Sequence, residues 1–94
     1  MLTITLKGES WTSQEDFYAA LLPALGAPAW HGHNLDALND SIAGGGINSV
    51  NPPLALSITG LQSMGAEART IVNRFANLIR ELRSGGVPVS VDCH

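Results

Sequence analysis

The stretch LALSITGLQSMGAEARTIVNRFANLIRELRSGGVPVSV, residues 54–91, decides the fold class. Its opening run, Leu54-Ala55-Leu56-Ser57-Ile58, is compact, apolar and of strand length. From Ala66 to Arg83 the apolar residues Ala68, Ile71, Val72, Phe75, Leu78, Ile79 and Leu82 form one helical stripe, which Arg69, Arg74, Arg80 and Arg83 mostly avoid. Gly85-Gly86 stops that helix. Val87, Val89 and Val91 then alternate with Pro88, Ser90 and Asp92, the period of a strand. A strand, a helix and a second strand in this order make a parallel crossover unit. The segment between Gly60 and Gly65 has room for one short turn.

Working outward, residues 2–7 place Leu2, Ile4 and Leu6 on one face of a strand that ends at Gly8. That alternation is unlike a secretory leader. Thr12 with Glu15 fits a capping box at a helix start, and Ser13 with Asp16 fits one less ideally. Phe17, Leu21, Ala24 and Leu25 continue on one helical face. Pro23 removes a backbone donor inside this helix and predicts a kink or an early end, with Gly26-Ala27-Pro28 closing the segment. A shorter helix fits residues 34–43, with Asn34 as its cap and Leu35, Leu38 and Ile42 on its inner face. The order β, α, α, β, α, β predicts an α/β fold: a small three-stranded parallel sheet packed against helices, in a single domain over residues 1–94. Leu35, Leu38, Phe75, Ile79 and Val89 are the expected core.

Of the 94 residues 45% are hydrophobic, enough for a packed core, and only 14% are charged. Eight acidic against five basic residues give a net charge of −3, which argues against a nucleic-acid partner because phosphate contacts need clustered Lys and Arg. The acidic excess lies in the first half, where Lys7 faces Glu9, Glu15, Asp16, Asp36 and Asp40. The single cysteine, Cys93, can form neither an internal disulfide nor a cysteine-rich zinc site. It sits with His94 in what reads as a strand end and a frayed tail. No run approaches the ~18 apolar residues of a membrane span. The default compartment is the reducing cytoplasm.

The densest polar stretch is Trp30-His31-Gly32-His33-Asn34-Leu35-Asp36-Ala37-Leu38-Asn39-Asp40-Ser41-Ile42-Ala43-Gly44. With Leu35, Leu38 and Ile42 turned inward, the outer face carries Asp36, Asn39 and Asp40. Two carboxylates at i and i+4 repel by about 0.2–0.5 kcal/mol. A helix over 34–43 also puts Asp40 in the last turn, where the dipole disfavours an anion. A residue placed against local stability is a physical hint of function. From the spacing alone, a solvated acidic face is the favoured reading. His31 and His33 precede the helix and form no i, i+4 pair, so a metal site is not indicated. Ser41, Ser49, His31 and Asp92 supply the composition of a hydrolase triad, but no G-x-S-x-G elbow accompanies them. Gly44-Gly45-Gly46 lacks the Lys-Ser/Thr of a phosphate loop and reads as a helix stop. Position alone leaves Trp30 open between a core aromatic and an exposed contact.

The same stretch resembles the barstar family of intracellular ribonuclease inhibitors. The resemblance rests on an aromatic near-pair followed by Gly32, His33 and Asn34-Leu35-Asp36-Ala37-Leu38, then a variable residue and Asp40. Pro53-Leu54-Ala55-Leu56, Gly65-Ala66-Glu67 and Gly85 to Val91 resemble the family's second strand, long helix and last strand. The resemblance implies a non-enzymatic inhibitor, without cofactor or metal, that plugs the active site of a cognate ribonuclease or ribonuclease-type toxin. It implies a helix and following loop as the plug, with Asp40 in the phosphate site. Trp30, Asn34, Asp36, Asn39, Ala43 and Gly44 match contact positions, and Glu81 is the counterpart of a second acidic contact on the long helix. The implied partner is a protein, with no direct contact to nucleic acid or membrane, and the free inhibitor is a monomer. Asn39 and Gly45 stand where the family has aromatic residues, and the loop from Gly44 to Asn48 differs in length and composition. Those departures keep open an alternative: an interaction module of the same fold whose target is not a nuclease.

Overall fold

The computed structural model describes residues 2–94. In chain order the elements are β1 (Leu2–Lys7), α1 (Gln14–Leu25), α2 (Leu35–Gly44), β2 (Leu54–Thr59), a 3-10 turn (Leu61–Ser63), α3 (Ala66–Ser84) and β3 (Val89–Cys93). The sheet order is β1-β2-β3 and both pairings are parallel. Leu2 pairs with Leu54, Leu6 with Ile58, Leu54 with Val89 and Ile58 with Cys93. Consecutive parallel neighbours need crossover connections, and crossovers of one hand bring every helix to one face of the sheet. Accordingly Leu6, Leu54, Leu56, Ile58 and Val89 are buried in a common cluster with the helices, while Thr3, Thr5, Lys7 and Asp92 are exposed. The expected α/β class and topology are those observed. No helix among the described residues is long and apolar enough to cross a membrane.

The core centres on aromatic contacts between α1 and α3. Phe17 lies 5.2 Å from Phe75, ring centre to ring centre, and Trp11 meets Phe17 edge-on at 5.9 Å. The inner stripe of α3 is Ala68, Ile71, Val72, Phe75, Ala76 and Ile79, with Leu78 and Leu82 only half-buried. Arg69 folds back to donate to the carbonyls of Leu61, Gln62 and Met64, pinning the 3-10 turn to the first turns of α3.

Several expectations are corrected by longer-range contacts. The capping box of α1 uses Ser13 and Asp16, not Thr12 and Glu15. Asp16 accepts from the amides of Thr12 (2.8 Å) and Ser13 (3.2 Å), while Glu15 is engaged by His33 at 2.9 Å. Pro23 does not end α1 at once: the helix runs on to Leu25 and stops at Gly26, whose φ of 66° is left-handed. A Cβ at Gly26 would lie 2.5 Å from the Ser49 Cβ, so the position needs glycine for both conformation and space. Val87 lies in the connection between α3 and β3 rather than in the strand, because its amide donates back to the Leu82 carbonyl in the last turn of α3 at 3.0 Å. The C-terminus is not frayed: the His94 amide donates to Ile58 and its carbonyl accepts from Leu61. Leu35 is half-buried rather than in the core, whereas Leu38, Phe75, Ile79 and Val89 are buried as expected.

The backbone donors of Thr12 and Ser13 hold the Asp16 carboxyl below the usual carboxylate range. The folded chain therefore favours the charged form. The stability this gives is full above the unfolded value of about 4 and is lost as pH falls through the lowered folded value. Melting curves between neutral pH and acid should show Asp16→Asn insensitive to this part of the acid destabilisation seen in the parent.

Candidate partner-binding site

Helix α2 forms because Asn34 caps it and its inner face is apolar. The Asn34 side-chain oxygen accepts from the Ala37 amide at 2.7 Å. Asp36 sits in the first turn, where the dipole favours it. Replacing Asn34 by Ala should cost about 1 kcal/mol and lower the melting temperature by about 4–8 °C, read by thermal unfolding. Leu38, Ser41 and Ile42 are buried, and the outer face shows Asp36, Asp40, Ala43 and Gly44 to solvent. Asn39 is half-buried. α2 runs to Gly44, one residue further than the spacing suggested, so Asp40 lies just before the last turn and the dipole penalty on it is weaker than expected.

Among the described residues the contacts at salt-bridge distance are His33–Glu15 and His94–Asp92, so neither Asp36 nor Asp40 has a cationic partner among them. Asp36, Asn39 and Leu35 face Arg74, Asn77, Leu78 and Glu81 of α3 across an open groove of about 480 Å³. The structure thus brings Asp36, Asn39 and Glu81 to one groove, with Asp40, Ala43 and Gly44 on the exposed outer side of α2. Asn34 is exposed at the N-terminal end, where it lines a second groove with Tyr18, His33 and Arg74. His33 stacks on Tyr18 at 5.7 Å and bonds Glu15, tying the loop before α2 to α1.

Trp30 is 75% exposed, and the buried tryptophan is Trp11, at 6%. Ile47, in the loop after α2, is 37% exposed; no periodicity marks it, since it lies in an irregular loop. Behind the outer face lies a buried polar network. His31 Nε2 is 2.9 Å from Ser41 Oγ, and His31 Nδ1 is 2.8 Å from the Gly32 carbonyl. Asn48 Nδ2 donates to Ser41 Oγ at 3.1 Å, and Ser41 Oγ also lies 3.3 Å from the Leu38 carbonyl. Sequence reasoning missed this network. Its signal is Ser41, a hydroxyl three residues after Leu38 on the inner stripe, which must find a partner when buried.

Ser41 and His31 have the separation of a nucleophile–base pair, but they are 1% and 5% exposed and His31 Nδ1 meets a carbonyl, not a carboxylate. Asp92 bonds His94 at 3.3 Å. The Ser41 hydroxyl is therefore buried out of reach of a substrate. The described residues contain no cluster of three or more metal-ligating side chains.

Three parallel strands backed by helices, one of them turning the carboxylates of Asp36 and Asp40 to solvent between two loops, define a small α/β protein with an exposed acidic face. The chain belongs to the barstar family, the barnase inhibitors, whose family model matches residues 1–93. No curated protein sequence matches the chain. At family level the partner is a barnase-like ribonuclease, and the family acts as inhibitor and not as catalyst.

Proposed function

We propose that this protein binds a cognate ribonuclease or ribonuclease-type toxin and plugs its active site with α2 and the loop that follows. It acts as a cytoplasmic immunity protein, as a single domain that is monomeric when free. The observation that carries this reading is the exposure of Asp36 and Asp40 on the outer face of α2 with no ion-pair partner among the described residues. A ribonuclease active site is a concave cationic pocket built for phosphate, and a protruding acidic helix is its electrostatic complement. Trp30, Asn34, Ala43 and Gly44 surround that centre in our reading. Asp36, Asn39 and Glu81 form a flanking groove. Inhibition is steric and electrostatic, so no turnover is expected from the purified protein.

Titrating the activity of a barnase-family ribonuclease with this protein tests the proposal, with stoichiometric loss of activity as the expected result. Stopped-flow association should slow by about tenfold or more from low to high salt, as steering between opposite charges requires. A salt-independent rate would remove the electrostatic part of the mechanism. The second reading, an interaction module with a non-nuclease target, is favoured by Asn39, which leaves the groove beside α3 open. Absence of inhibition across several ribonucleases of this type would select it.

A further inference from the structure

We infer that His31, Ser41 and Asn48 are positioning residues for the recognition face: their buried network fixes the two loops flanking α2 in the geometry that partner binding needs. Each member is the chain neighbour of an outward-facing residue. His31 follows Trp30, Ser41 follows Asp40, and Asn48 follows Ile47. The Ser41 hydroxyl is the hub, within hydrogen-bonding distance of the loop before α2 through His31 and of the loop after it through Asn48. His31 Nδ1 donates to the Gly32 carbonyl, its Nε2 lies 2.9 Å from Ser41 Oγ, and the serine oxygen accepts from Asn48.

The loop after α2 needs such an anchor. Gly45 and Gly46 both have positive φ, 69° and 79°, and a Cβ at Gly46 would meet nothing within 4 Å. Beyond Asn48 the chain is held again, by Ser49 and Val50 donating to the Gly26 and Leu25 carbonyls. Between those ties and the end of α2, the Gly46 amide bond to Asn51 Oδ1 and the Asn48 side chain hold Ile47 in place.

The network is poorly made for stability alone. Asn48 Oδ1 is buried without a partner, and an unsatisfied acceptor is a cost that an apolar group of similar shape avoids. What buried polar bonds supply beyond energy is a unique arrangement. Ordering Trp30 and Ile47 before encounter removes an entropy cost that binding otherwise bears.

The test uses the full chain, uniformly ¹⁵N-labelled, with Trp11 as an internal reference. Ser41→Ala removes the hub, Asn48→Leu cuts only its link to the loop after α2, and Ile42→Val trims the same helix without touching the network. Fast backbone order parameters should fall from the rigid value of about 0.85 towards 0.6 at both Trp30 and Ile47 in Ser41→Ala, and at Ile47 alone in Asn48→Leu. Trp11 in all variants, and both loops in Ile42→Val, should stay as in the parent. Affinity for a barnase-family ribonuclease should drop about five- to tenfold, mainly through preorganisation lost before contact. This arm rests on the inhibitor reading. Should Asn48→Leu fail to fold, Ser41→Ala, which deletes a single oxygen, still reads both loops. Loops as ordered as in the parent, or equally loosened by Ile42→Val, overturn the inference. Order lost with affinity unchanged overturns the link to recognition. If the parent itself binds no ribonuclease, the inhibitor reading falls, while the order parameters still decide whether the network positions these residues.

Discussion

Asp40→Ala should weaken binding to a barnase-family ribonuclease by about 2–5 kcal/mol, a factor of roughly thirty to several thousand in Kd, while leaving the fold intact. The two halves of this expectation have separate causes. In the free protein Asp40 is exposed, has no ion-pair partner among the described residues, and lies one helical turn from Asp36. Removing it deletes a repulsion of about 0.2–0.5 kcal/mol, so the melting temperature should stay level or rise slightly. In the complex its carboxylate would be desolvated among the cations of a phosphate site, and truncation leaves those cations without a counter-charge. Asp36→Ala should cost less. Asp36 shares its groove with Glu81, whose charge remains, and with Arg74. Titration calorimetry and melting curves on both variants decide the matter. Undiminished affinity in Asp40→Ala would remove the phosphate-mimic mechanism, and a much lower melting temperature would make Asp40 a structural residue.

Leu38→Ala should show the opposite signature. Leu38 is fully buried from the middle of α2, in one cluster with Leu25, Phe75 and Ile79. Truncation there loses transfer energy and leaves a cavity that neighbours on the sheet and α3 cannot fully close. The expected destabilisation is about 2–5 kcal/mol, and the melting temperature should fall by about 10 °C or more. Denaturant unfolding measures this directly. A change under about 0.5 kcal/mol would mean that α2 is not held to the core by its inner face. Paired with Asp40→Ala, this substitution separates the two faces of one short helix, one serving the fold and the other recognition.

The sequence by itself determined the elements and their order. Periods of about 3.6 and 2, cut by Gly26, Gly60 and Gly85-Gly86, are local properties of the chain. They suffice to place the parallel sheet, α2 with its Asn34 cap, and the acidic outer face of α2. The tertiary structure decided everything that depends on which distant group arrives first. Glu15 fits a cap by spacing, but His33, eighteen residues on, occupies it, and Asp16 takes the cap instead. Val87 continues an alternation, yet its amide is spent on the end of α3. Leu35 follows the inner stripe but ends at the rim of the groove between α2 and α3, half in solvent. Of two tryptophans, packing against Phe17 buried Trp11, and Trp30 was left outside. The buried bond set of His31, Ser41 and Asn48 joins two loops through one hydroxyl, and loops carry no period from which such a meeting can be read. Burial and hydrogen-bond partnership are set by long-range packing, whereas helix and strand patterns are set within a few residues.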